Sequence, residues 1–197
     1  MAQKLVEPHV ALRRATVDDQ KAVTALISRA GGSSKYRKRY GAFSAAFLEF
    51  SLLAIIAYDA NDEKAPLLGF ASFSDGPRDQ TTLEEWLPKA NVALGQAWRP
   101  GQALFVTFLV ADPSPLTEQL AVKKLLSTAF STQPLAQYAI VSLPVKESQP
   151  AECDRHFRSL TSELYEEVGV DLPGGAVGGA KGGEQVCVMI TTYELVF

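Results

Sequence analysis

Residues 103–131 constrain the fold more than any other stretch. From Ala103 to Ala111 the side chains are apolar except for Thr107. A continuous apolar run of this length predicts a strand covered on both faces, which needs helices packed on each side of a sheet. Asp112-Pro113 ends the run. Ser114 is a good N-cap, and Pro115 suits the first helical position, where its missing N–H costs nothing. Leu116, Leu120, Lys123, Lys124, Ala129 and Phe130 follow at helical spacing, so a helix is expected to run on to about residue 131.

Length and composition bound the rest. The chain has 197 residues, 47% apolar content and 21% charge, which describe one globular domain over 1–197. A net charge of −3 gives no global attraction to nucleic acid. Cys153 and Cys187 are too few and too far apart for a disulfide framework, which favours a reducing compartment. No N-terminal stretch reads as a signal peptide, and the apolar runs fall far short of the ~20 residues that span a bilayer. Neither a membrane nor a nucleic acid is therefore an expected partner.

The chain opens with a short strand over about 9–14. Thr16 or Asp18 can cap the helix that follows, whose Val23, Leu26 and Ile27 share one face, and Gly31-Gly32 stops it. Residues 29–40 hold Arg29, Lys35, Arg37, Lys38 and Arg39, with Tyr36 and Tyr40 between them and no acid. This run reads either as a solvated loop or as a patch that docks on an acidic surface, protein or nucleic acid. A short helix is expected from Ala42 to Leu48. Strands from Phe50 to Tyr58 and from Pro66 to Ser74 form a hairpin around Asp59-Ala-Asn-Asp-Glu.

Residues 75–102 form a long connection with Leu83, Trp86, Leu87, Val92, Leu94 and Trp98 in an amphipathic segment broken by Pro88. Its tryptophans need a surface to cover, in this domain or on a partner. Tyr138 to Pro144 is a further buried strand. A helix is expected from about Pro150 to Val168, a flexible Gly-rich loop over 173–183, and a last strand from Val186 to Phe197. The Gly-rich loop is not a P-loop: Lys181 is followed by no Ser or Thr, and no buried strand feeds it. Cys153 and His156 are one helical turn apart, but a metal site would need His9 and Cys187 to join them, and no metal is expected.

Strand, helices, hairpin, insertion, strand, helix, strand, helix, strand is an α/β (α+β) order with a mixed sheet. Four local sequences in that order resemble the GCN5-related N-acetyltransferase (GNAT) fold. They are Leu12-Arg-Arg-Ala-Thr-Val-Asp-Asp, Leu68-Gly-Phe-Ala, Leu109-Val-Ala-Asp-Pro with Lys124-Leu-Leu, and Leu164-Tyr-Glu-Glu-Val-Gly-Val. A narrower likeness lies in Arg39-Tyr-Gly with Phe43, Phe73-Ser-Asp-Gly-Pro, Trp86, and Pro100 ahead of Ala103–Ala111. These resemble the N-terminal region of the cilia- and flagella-associated protein 61 family, including a helical insertion between the third and fourth strands. That family is axonemal and its members are longer. The resemblance implies a first domain working at the radial spoke base, in the calmodulin- and spoke-associated complex on doublet microtubules.

In an acetyltransferase of this fold, the pyrophosphate of acetyl-CoA rests on the N-terminus of the central helix, where glycines let it approach. Alignment on Leu125-Leu126 puts Thr117 at the family's Arg position and Leu120 and Val122 at its two glycine positions. Pro113 and Pro115 remove N–H donors, and Glu118 adds a charge that repels phosphate. With Ser114 as cap, this helix end is expected to be closed on itself. Tyr165 falls where many family enzymes place the tyrosine that protonates the departing thiolate, or it simply packs its ring. Glu49, Asp75 and Glu147 are carboxylates near strand ends, and none can be named as a base. The sequence therefore predicts a non-catalytic GNAT-like module with no cofactor, contacting axonemal partners through Lys35, Arg37, Lys38, Arg39, Trp86 and Trp98. The alternative is an acetyl-CoA-dependent N-acetyltransferase with an atypical CoA loop, using Tyr165.

Overall fold

The computed structural model describes residues 9–62, 64–76, 101–144, 158–159 and 184–190. Its elements are β1 (Val10–Arg14), a 3-10 turn (Val17–Asp19), α1 (Gln20–Arg29), α2 (Ser33–Tyr40), α3 (Ala46–Glu49), β2 (Leu53–Asp59) and β3 (Gly69–Ser74). Then come β4 (Ala103–Ala111), α4 (Pro115–Thr132), β5 (Tyr138–Pro144), β6 (Arg158–Ser159) and β7 (Glu184–Ile190). The strands form one sheet in the order β1-β2-β3-β4-β5-β7-β6. β4 and β5 run parallel, and every other neighbouring pair is antiparallel. The α/β class expected from the sequence is the one observed.

The hairpin of β2 and β3 pairs Leu53 with Phe73 and Ala57 with Gly69. Its turn is held by Asp59, whose side chain accepts the N–H of Asn61 at 3.0 Å. β2, β3 and β4 are buried almost throughout, as central strands covered on both faces must be. α4 lies across β1 to β4. Its buried residues are Ala121, Val122, Leu125, Leu126, Ala129 and Phe130, a stripe repeating every four residues. Gly69 is where the sheet and α4 come closest. A Cβ there would sit 2.9 Å from Leu125 Cδ1 and 3.2 Å from Ala121 Cβ.

The opposite face is aromatic. Neighbouring residues in a strand point to opposite sides, so Phe70 faces away from α4. It meets Phe43 with ring centroids 5.6 Å apart and Phe108 at 5.9 Å. Phe108 also stacks with Tyr36 of α2 at 6.0 Å, meets Tyr40 of the same helix in a tilted contact at 4.9 Å, and meets Phe47 of α3 at 5.2 Å.

Several sequence expectations shift. The stretch 42–48 is helical only over Ala46–Glu49. Arg158–Ser159, expected inside a helix, instead pair with Val188 and Cys187 of β7 as an edge strand. The last strand begins at Glu184, earlier than expected. The remainder of the expected 150–168 helix, the Gly-rich loop 173–183 and the interior of the insertion lie outside the described residues.

Candidate functional site

The site to be tested is the end of β4 where α4 begins. Parallel pairing of β4 with β5 covers only Ala103↔Tyr138, Leu104↔Ala139 and Phe105↔Ile140. Beyond that point β4 stays with β3 as far as Ala111, while β5 stays with β7 as far as Pro144. The two strands have parted. The separation begins beside a bulge, because Ser72 pairs with Phe108 and Phe73 with Val106, leaving Thr107 as the extra residue. A bulge bends its strand and increases its twist, which accounts for β4 turning away from β5 at this point. Thr107 Oγ1 and Ser72 Oγ share a hydrogen bond of 2.8 Å. That bond satisfies the fully buried serine.

α4 starts at the mouth of this opening. Asp112 shapes the turn: its N–H donates to Leu68 O at 2.9 Å, and its Oδ1 accepts the N–H of Ser114 at 3.2 Å. Arg29, from the end of α1, donates to Leu67 O at 2.8 Å and to Asp112 Oδ2 at 3.4 Å. Ser114 occupies the N-cap position but makes no side-chain capping hydrogen bond. The expectation of a helix end closed by Ser114 is therefore corrected. Pro113, Ser114, Pro115 and Leu116 are exposed, and the turn is shaped from outside the helix by Asp112.

The residues here fit a pyrophosphate poorly. Pro113 and Pro115 carry no N–H. Glu118 brings a half-buried carboxylate into the first turn. Val122, aligned with a glycine position, is completely buried in the α4 stripe and serves the core. The main-chain dipole still points outward, but the side chains around it oppose an anion.

The basic segment 29–40 is not a loop. It is the end of α1, a turn with Gly31 at φ 120° and Gly32 at φ 88°, and the helix α2. The physical reason is the spacing of Tyr36 and Tyr40, one helical turn apart and both buried on Phe108. α2 contains no acid, so Lys35 and Arg39 are like charges at i,i+4, a mildly unfavourable arrangement of about 0.2–0.5 kcal/mol. The last-turn cations Arg37, Lys38 and Arg39 are favoured by the helix dipole. The buried tyrosines hold the helix to the sheet. Arg37 and Lys38 are exposed, and Lys35 and Arg39 are half-buried.

A family model described as cilia- and flagella-associated protein 61, N-terminal domain, matches residues 11–171. The chain belongs to this family. Membership makes it one of a group of cilia- and flagella-associated proteins. No curated protein sequence matches the chain significantly. Among solved structures, an aminoglycoside N(6')-acetyltransferase from Legionella pneumophila is similar at 12% identity and a TM-score of 0.49, covering 97% of this chain and 96% of that one. A diaminobutyrate acetyltransferase from Paenibacillus lautus, solved with L-2,4-diaminobutyric acid and coenzyme A, is similar at 15% identity and a TM-score of 0.47, covering 93% and 96%. A GNAT-family acetyltransferase from Bacillus cereus is similar at 12% identity and a TM-score of 0.45, covering 92% and 96%. The fold of this cilia- and flagella-associated domain is GNAT-like in its mixed sheet and in the helix that follows β4, both expected from the sequence; the parting of β4 and β5 was not anticipated.

Of the other predicted site residues in this family member, Tyr165, Trp86, Trp98 and Glu147 lie outside the described residues, as do Cys153 and His156. Glu49 and Asp75 are exposed, at the end of α3 and just past β3. Among the described residues no group of three or more His, Cys, Asp or Glu is arranged to hold a metal ion. No described helix is long and apolar enough to cross a membrane. Two charged contacts were not anticipated. One is Arg29 with Asp112, 83 residues apart in sequence. The other is Arg13 with Asp19, whose carboxylate accepts from Nη1 at 2.8 Å and Nη2 at 2.6 Å, and also from the Thr16 N–H at 2.9 Å. Burial pushes the Asp19 carboxyl up, but the bonds from Arg13 and Thr16 prevail and hold it below the usual carboxylate range. The same hydrogen bond raises Arg13 above its ordinary value. The Thr16-x-x-Asp19 spacing was the available signal, since an acid three residues after an N-cap Thr can bond back to it.

Proposed function

We propose that this domain is a non-catalytic, acetyltransferase-like interaction module of the ciliary axoneme. Its partners would be axonemal proteins at the radial spoke base and components of the doublet microtubule, with no acyl-CoA cofactor. The observation that carries the reading is the first turn of α4. Where a pyrophosphate would rest, the chain has Pro113, Pro115 and Glu118, and Val122 belongs to the core. The aromatic cluster supports it too. Tyr36, Tyr40, Phe43 and Phe47 pack on Phe108, beside the bulge, and occupy the sheet face with side chains.

The second reading, an N-acetyltransferase with an atypical CoA loop and Tyr165 as its acid, is favoured by two observations. β4 and β5 part beyond Phe105, and the α4 N-terminus has no side-chain cap. One titration separates the two. Thermal unfolding of the full chain with saturating acetyl-CoA should show an unchanged midpoint. A stabilisation above about 1 kcal/mol, roughly 2–4 °C for a chain of this size, would retire the module reading and favour the enzyme.

A further inference from the structure

The α1–α2 pair carries a charge pattern that points to a ligand class. From Gln20 to Ala42 the chain has Lys21, Arg29, Lys35, Arg37, Lys38 and Arg39 and no Asp or Glu, within a protein of net charge −3. The cations differ in their surroundings. Arg29 is turned toward Leu67 O and Asp112. Lys35 lies along the Gly31 turn and over the Tyr36 ring, with Nζ 5.4 Å from its centroid. Arg37 and Lys38 stand exposed on the outer stripe of α2 with Ser34, and pair with no acid among the described residues.

We propose that the outer face of α2, centred on Arg37 and Lys38, docks an acidic protein segment, a Glu- and Asp-rich stretch of a partner chain. This rests on the interaction-module reading above and names the chemistry of its partner. Guanidinium and ammonium groups side by side match carboxylates, and Arg can grip one through two parallel N–H bonds. The helix beneath them is fixed by Tyr36 and Tyr40, so little backbone order has to be gained on binding. Nucleic acid fits less well. The tyrosines that interleave with the basic residues are buried on Phe108, leaving no ring in α2 for a base to stack on. A lipid surface fits less well too, because the exposed stripe carries no large apolar side chain to insert.

The test is fluorescence anisotropy of a labelled oligoglutamate peptide titrated with the full chain at low salt. Saturable binding is expected, weakening as salt is added. The double variant Arg37→Glu/Lys38→Glu should bind at least about tenfold more weakly, while Arg14→Glu/Lys64→Glu, with the same change in charge elsewhere, should stay within about twofold. Circular dichroism of each variant checks that the fold is retained. Absent binding, equal loss in both variants, or tighter binding of a DNA duplex than of oligoglutamate overturns the proposal. Those results leave the module reading intact if acetyl-CoA is still inert. Stabilisation by acetyl-CoA removes that reading whatever the peptide does.

Discussion

The two faces of the sheet at β3 and β4 are packed on opposite principles. Toward α4 the contact is aliphatic and close, made possible by the missing side chain at Gly69 beneath Leu125 and Ala121. Toward α2 and α3 it is aromatic, with Phe108 at the centre of rings from Tyr36, Tyr40, Phe43 and Phe47. The difference follows from the helices. α4 has 18 residues and a continuous apolar stripe, so many small contacts share the task. α2 has eight residues, a glycine at its N-cap and four cations, and is held by a few large side chains. Anchoring α2 through two buried tyrosines separates what holds the helix from what it shows to solvent. Its outer residues can then be dedicated to recognition without loosening the fold.

Removing the centre of the aromatic side should have the largest effect. Phe108→Ala deletes a fully buried ring that contacts two helices and β3. Urea denaturation should register a loss of about 3–5 kcal/mol. A loss under about 1 kcal/mol would mean that α2 is held by something other than these rings. The aliphatic side is probed in the opposite sense, by adding volume. Gly69→Ala forces a methyl against Leu125 and Ala121, both fully buried and unable to move aside into solvent. The expected cost is about 1–3 kcal/mol in the same assay. A neutral or stabilising result would show that α4 can shift away from the sheet, and that the closeness of this face is not required.

These two faces were legible in the sequence to different degrees. The 103–111 run and the stripe around Leu125 are repeated local signals, and the strand, the helix and their order followed from them. Thr107 was visible as the sole polar residue in that run, but a pattern of apolar residues cannot distinguish an irregular pairing from a polar side chain tolerated in a regular one. The bulge exists only through β3, 35 residues away. Tyr36 and Tyr40 stood at helical spacing inside the basic run, yet the run of charge dominated the reading. What overrode it was burial on Phe108, a contact between distant segments. Ser114 failed as a cap for a similar reason. Asp112 is fixed by Arg29 and by the Leu68 carbonyl, and it takes the Ser114 N–H from outside the helix. The absence of glycines at the α4 N-terminus needed no structure, because it is a statement about residue types at fixed offsets.

The smallest effect expected is a dependence on pH that belongs to the α1–α2 side alone. Asp19 directly precedes α1, at its N-cap position, and its carboxylate takes the bonds of Arg13 and Thr16. Its folded pKa lies below the ordinary value, so it stabilises the folded state wherever it is ionised in both states. That contribution is complete above the unfolded value of about 3.9 and is lost as the pH falls through the lower folded value. Arg13 is half-exposed, and screening keeps the pair to about 1 kcal/mol or less. Asp19→Asn should therefore lower stability by about that amount at pH 7, and the gap from the wild-type chain should shrink below about pH 4. The Gly69→Ala deficit, arising from apolar contact, should stay constant over the same range. A gap for Asp19→Asn that does not change between pH 7 and pH 3 would break the distinction: the carboxylate would then act as a hydrogen-bond acceptor whose charge contributes nothing to holding α1 on the sheet.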